Sequence, residues 1–240
     1  MAATHLLTTP QSVSRQLLPW FALHGRSFSW RDTDNPFNVL IAEILLRKTG
    51  ARAVEQFLSQ FLAAYPDVVA LANAPVEELT ANLAILGLSV QRARQLRALG
   101  CRIFDDFNGA IPSTAKDLAS LPAVGRYTAG IVASACFDLP EAAVDTNVAR
   151  VICRVFGLTP SHAEPRKSTN VWAIASELVS ASTARFARTT WAMLDLAAAH
   201  CTSRSPHCLD CPLRSLCRYA DGVRSQQHVS KPVSSRVAKN

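Results

Sequence analysis

No apolar run in the 240-residue sequence reaches membrane-spanning length, and no basic segment followed by an apolar stretch opens it. Neither a transmembrane helix nor a secretory leader is therefore expected, which leaves a soluble, intracellular protein as the default. The apolar–polar alternation of half-buried strands is also missing, and no segment repeats. The fold class expected is all-α. The last stretch, 222–240, contains no acid; its Arg224, Lys231, Arg236 and Lys239 sit among serines, and a basic disordered tail is expected there.

What is present is apolar and basic. The residues are 49% hydrophobic and 18% charged, enough for one large or two small domains with a real core. The net charge of +7 favours a polyanionic partner, although ordinary surface lysine and arginine would also produce it. Four of the seven cysteines cluster near the C-terminus, which argues for metal binding rather than a disulfide framework.

Helix signals recur along the chain. Pro10 to His24 reads as a first helix, capped by Thr9 and stopped by Gly25, with Pro19 as an internal conflict. Phe28-Ser29-Trp30-Arg31 reads as a loop with an aromatic–cation pair. Asn35-Pro36 opens a helix through Leu46 that is apolar on nearly every side, and Glu43 is its only charge. A buried carboxylate is costly unless it is paired or used; partial exposure or a salt bridge to arginine is the plain alternative. Arg47-Lys48-Thr49-Gly50 ends that helix, where basic side chains suit the dipole. Further helices are expected at 51–65, 68–73, 76–86 (stopped by Gly87), 89–107, 146–156, 168–179 and 185–199. Arg92, Arg94 and Arg97 read as a solvated face.

Leu121-Pro122-Ala123-Val124-Gly125-Arg126-Tyr127-Thr128-Ala129-Gly130 reads as a helix end, a tight turn and a new helix. Pro122 ends what precedes it, and Gly125 is expected to supply a positive φ in the turn. Backbone N–H groups at such a helix start form an anion site, and on a basic protein the anion expected is a nucleic-acid phosphate. Ser113 or Thr114 caps the short helix before it. Downstream, Val144-Asp145-Thr146-Asn147 opens the next helix, with Asp145 as an N-cap candidate. Cys201, Cys208, Cys211 and Cys217 follow C-x6-C-x2-C-x5-C, which suits either tetrahedral zinc or a [4Fe–4S] cluster. Cys101, Cys136 and Cys153 read as buried packing residues.

From about Trp30 to Cys217 these motifs resemble the helix–hairpin–helix DNA glycosylases, in the branch of endonuclease III, adenine DNA glycosylase and the thymine-DNA glycosylases that act on T·G mismatches. The resemblance implies two lobes. One is a six-helix barrel over 28–141. The other joins residues 1–27 to 142–221 and carries an iron–sulfur cluster, with Cys201, Cys208, Cys211 and Cys217 as its ligands. It also implies Glu43 and Asp145 as catalytic carboxylates, and double-stranded DNA bound by Arg47, Lys48, Val124, Gly125, Arg126 and Arg204. The family hairpin usually has glycine where this chain has Ala123, a departure that bears on one backbone–phosphate contact.

Tyr127 stands where lyase members carry a catalytic lysine, so the resemblance implies base release without strand cleavage. A monomer is expected, nucleoid-associated in a bacterium or nuclear in a eukaryote. Leu46-Arg47-Lys48-Thr49 and the 87–93 segment resemble the T·G enzymes, and only residues 218–240 follow the last cysteine. Thymine or uracil opposite guanine is the expected target. Adenine opposite guanine or 8-oxoguanine is the alternative, as is a catalytically silent DNA-binding protein. Trp191 matches neither group and reads as pocket wall or core.

Overall fold

The computed structural model describes residues 8–159 and 164–222. Among them lie eleven α-helices, three short 3-10 turns and further helical residues at 218–222, with no strand. The expected basic tail lies, but for Gly222, outside the described residues. No helix among those described is long and apolar enough to cross a membrane.

Helix α1 (Pro10–His24) starts as its sequence dictates. Thr9 accepts the Ser12 N–H, and the Ser12 hydroxyl accepts the Thr9 N–H, a reciprocal cap. Pro19 stays inside the helix on its exposed side, where its missing N–H leaves the Arg15 carbonyl without its helix donor. Helix α2 (Pro36–Leu45) is capped by Asn35 and buries eight of its ten residues. Helix α8 (Arg126–Cys136) buries every residue from Thr128 to Ala135. These two helices pack against each other and form the centre of the molecule.

Around them, α3 (Ala51–Ala64) lies on α2, and α7 (Ala115–Ala119) lies on α8. Helix α4 (Val68–Asn73) and α5 (Val76–Asn82) both pack on the long α6 (Ser89–Phe107). Gly100 allows the α4 approach, because a Cβ there would stand 2.8 Å from the Ala72 nitrogen. On the other side, α9 (Thr146–Phe156), α10 (Thr169–Ser180) and α1 pack around α11 (Ala187–Ala199), which also touches α8. The start of α1 meets the cysteine loop: Thr8 donates to the Leu216 carbonyl at 2.7 Å and Gln16 to that of Pro212 at 2.6 Å.

Several helix ends shift by one residue, and three boundaries differ in kind or at a helix start. The helix expected over 76–86 breaks after Asn82 and resumes as a 3-10 turn, Ala84–Leu86, before Gly87 at φ +72°. The helices expected from 168 and 185 begin at Thr169 and Ala187, with Ser168 as the extended N-cap of the first and Phe186 as the N-cap of the second.

Candidate active site

The hairpin between α7 and α8 is closed by the Val124 N–H donating to the Leu121 carbonyl at 3.1 Å. The left-handed residue of this turn is Ala123, at φ +61°. Gly125 is instead the extended N-cap of α8, at φ −97° and ψ 175°, which corrects the expectation that it supplies a positive φ. An alanine in the left-handed region costs roughly 1–2 kcal/mol relative to a right-handed conformation. Gly125 has a different use: a Cβ there would meet nothing within 4 Å, so the α8 N-terminus stands open to an approaching group. The Val124 side chain is buried and its N–H is spent inside the turn. The unpaired N–H groups at this site are thus those of the first turn of α8 itself.

A close approach places the acidic residue. Gly130 lies against the segment before α9, and a Cβ on it would fall 2.1 Å from the Ala142 carbonyl oxygen. Only glycine lets that segment lie on α8. Asp145 then caps α9: its Oδ1 accepts the Asn147 and Val148 N–H groups at 2.8 and 2.7 Å, and its Oδ2 accepts the Asn147 side-chain amide at 2.8 Å. These three donors fix the carboxylate's orientation.

Glu43, Tyr127 and Asp145 line one cavity of about 700 Å³ together with Arg31, Lys48 and Trp191. Glu43 is buried at 4% exposure, and no salt bridge engages it among the described residues. Burial pushes its carboxyl up to about 7; Arg31 opposes this, Asp145 adds to it, and the Tyr127 phenol beside it draws it down. Burial, then the Glu43 and Asp145 charges, raise the Tyr127 phenol well above its usual range, so it stays protonated.

Arg31 is held by Asp195 of α11, which also receives the side chain and backbone N–H of Arg26. Burial raises the Asp195 carboxyl, but the bonds from Arg31 and Arg26 outweigh it and leave the group below its usual range. Phe28 and Trp30 stack at 4.6 Å, and the Arg31 guanidinium lies 5.0 Å from the Phe28 ring, the expected aromatic–cation pair.

The cavity opens into a second of about 860 Å³, which shares Arg47, Tyr127, Asp145, Asn147 and Arg166 and adds Arg126 and Lys167. Arg126 lies 3.6 Å from the centre of the Trp172 ring, whose Nε1 donates to the Arg166 carbonyl. Arg47 donates to the Ala123 carbonyl at 3.3 Å, which ties the basic turn to the hairpin.

Arg166 and Lys167 escape the sequence reading; their only signal there is a basic pair following Pro165. Arg92 corrects another expectation. It is buried rather than solvated, and it donates to the Arg47 carbonyl and the Thr49 hydroxyl, both at 2.6 Å. Arg204 is exposed on the loop after Cys201 and lines neither cavity.

Cys201, Cys208, Cys211 and Cys217 line one small cavity beside α9. Arg154 donates to the Cys201 sulfur at 3.4 Å and to the Thr202 carbonyl at 2.6 Å. Cys101, Cys136 and Cys153 are half-buried rather than buried.

The chain is similar to the thymine-DNA glycosylase of Aeropyrum pernix, with 35% identity over 210 residues that cover 87% of this chain and 94% of that one. Human adenine DNA glycosylase is 34% identical over 220 residues, covering 88% of this chain and 40% of that one. A solved structure of a thermostable thymine-DNA glycosylase superposes with a TM-score of 0.80 at 31% identity, covering 89% of this chain and 97% of that one. Residues 41–174 match the description "HhH-GPD superfamily base excision DNA repair protein", and the chain belongs to that family.

Proposed function

We propose that this protein is a monofunctional DNA glycosylase that hydrolyses the N-glycosidic bond of thymine or uracil opposite guanine. The observation that carries the reading is the convergence of Glu43, Tyr127 and Asp145 on one cavity that opens into a basic cleft. A base inside the duplex is out of reach, so the nucleotide turns out into the cavity. The cleft holds the backbone with Arg47, Lys48, Arg126 and the N–H groups that open α8.

As the base leaves with the bonding electron pair, positive charge builds on the sugar. Asp145, oriented by its three donors, stabilises that charge. Water adds to the sugar carbon and yields its proton to the site, while the base gains one. A Glu43 carboxyl near 7 exchanges protons at neutral pH and suits this transfer. Tyr127 offers a phenol where a Schiff base would need an amine.

What supports a [4Fe–4S] cluster is the C-x6-C-x2-C-x5-C spacing of four cysteines that line one small cavity beside α9; the described residues hold no group of three or more donors already arranged about a metal ion. A closed set of four thiolate ligands supplies structure rather than chemistry. The adenine reading draws on the human relative and on Glu43, which could equally protonate a leaving purine. The superposition on a thermostable thymine-DNA glycosylase, with a TM-score of 0.80 at 31% identity, favours the pyrimidine reading. An end-labelled T·G duplex tests it: alkali-labile sites at the mismatched thymine are expected, and an intact strand after alkali contradicts it.

A further inference from the structure

Arg166 and Lys167 belong neither to the hairpin nor to the catalytic trio, yet both line the cleft. Arg166 lines the catalytic cavity as well, as Asp145 and Asn147 do, so it stands where the two spaces join. The 3-10 turn that carries the pair, Pro165–Lys167, is anchored on a buried ring: Trp172 Nε1 donates to the Arg166 carbonyl at 2.8 Å. The guanidinium of Arg126, the first residue of α8, lies 3.6 Å from the centre of the same ring. One indole thus fixes this turn against the helix start that opens on the cleft.

The two side chains already converge on one oxyanion. Arg166 Nε and Nη2 donate to Glu164 Oε2 at 3.1 and 2.8 Å, and Lys167 Nζ donates to Oε1 at 3.2 Å. A guanidinium fork and an ammonium that share the oxygens of a single anion can grip a phosphate in the same way. The bonds from Lys167 and Arg166 hold the Glu164 carboxyl below its usual range, so it is ionised at neutral pH. All three side chains are exposed, and ion pairs in water contribute little, so the contact is easily exchanged. Glu164 lines neither cavity, so exchange turns the two cations from the outside into the cleft. We propose that Arg166 and Lys167 bind a DNA phosphate flanking the flipped nucleotide, and that Glu164 holds them in the free protein and gives them up when the duplex enters. The proposal rests on the glycosylase reading above and adds a site for the strand that carries the target base.

The test uses T·G duplexes in which the target is unreactive 2′-fluorothymidine. Arg166→Gln is expected to weaken binding about tenfold and to lower the slope of log affinity against log salt by about 1. Glu164→Gln should tighten binding severalfold, and this gain should vanish when Arg166 and Lys167 are both glutamine. An uncharged methylphosphonate is then placed at each phosphate on either side of the target in turn. In wild type, one position should weaken binding. In Arg166→Gln, the same substitution should cost almost nothing more, because the two changes remove one contact.

Losses that add at every phosphate, or a Glu164→Gln variant that binds no tighter than wild type, would overturn the proposal. So would a Glu164→Gln gain that persists without Arg166 and Lys167, which marks a general effect of charge. Each of these outcomes leaves base release from ordinary T·G duplexes by wild type, and with it the glycosylase reading, intact. Wild type that releases no base from any duplex defeats that reading, and the proposal with it.

Discussion

Asn147 holds Asp145 from two sides: its backbone N–H meets Oδ1 and its side-chain amide meets Oδ2, both at 2.8 Å. The Asn147 side-chain oxygen accepts from Arg150 at 3.1 Å, and Arg150 Nε donates to the Cys201 carbonyl at 2.8 Å. One turn of α9 therefore joins the carboxylate at the cleft to the first of the four cysteines.

Replacing Asp145 by asparagine should separate its two roles. Asparagine caps a helix about as well as aspartate, so the thermal midpoint should move little. Without the negative charge, base release should fall at least about a hundredfold, in line with the loss of one preorganised electrostatic group. Binding to a T·G duplex should persist. Wild-type turnover in the variant would remove Asp145 from the mechanism.

Tyr127 predicts the product. Wild type should leave an abasic site without nicking the strand, and borohydride should trap no covalent adduct, because a phenol forms no imine. Tyr127→Lys should gain measurable trapping. If wild type is trapped, the lysine lining the cavity, Lys48, becomes the candidate, and Lys48→Gln identifies it.

The Glu43 carboxyl gives a pH signature in stability. Its folded value of about 7 lies above the ordinary glutamate value of 4.5, so between those pH values the folded state binds more protons than the unfolded one. Stability contributed by this group is therefore full below about 4.5 and is lost as pH rises through about 7. A shift of this size corresponds to about 3 kcal/mol. Glu43→Gln should be more stable than wild type at about pH 8, with the difference shrinking towards about pH 5. Thermal unfolding of both proteins at the two pH values measures it; a difference that does not change with pH contradicts the buried, proton-holding carboxyl.

The cysteine loop predicts a colour. Protein purified without oxygen should be brown and hold about four irons per chain, as the cluster type requires. Removing the metal should loosen the loop that Arg150 and Arg154 bind, and thermal stability should fall. Stoichiometric zinc in a colourless protein would refute the assignment.

Much of this site is legible in the sequence because its signals are local. Asn35-Pro36 starts α2 and fixes which way Glu43 points; Thr9 and Gly25 bound α1; Asp145 is read as a cap before it is read as anything else. What escapes depends on contacts between distant segments. Arg92 looks like one of three arginines on a polar helix face. Its burial depends on the carbonyl of Arg47, 45 residues away. The role of Gly130 appears only when Ala142 lies across it. The positive φ at Ala123 overrides the local preference for glycine, since the turn bond from Val124 to Leu121 fixes which residue must adopt it. Trp191 cannot be divided between wall and core without the cavity beside it, and it serves as both.

The measurement that bears most directly on the function is single-turnover base release from otherwise identical duplexes containing T·G, U·G, A·G, A·8-oxoguanine and T·A. A T·G wobble pair opens more readily than a matched pair, which adds selectivity at the flipping step. Rapid release of thymine and uracil opposite guanine is expected, with little from T·A and slow release of adenine. Fast cutting of A·8-oxoguanine with T·G left intact would contradict the assignment and make this an adenine glycosylase.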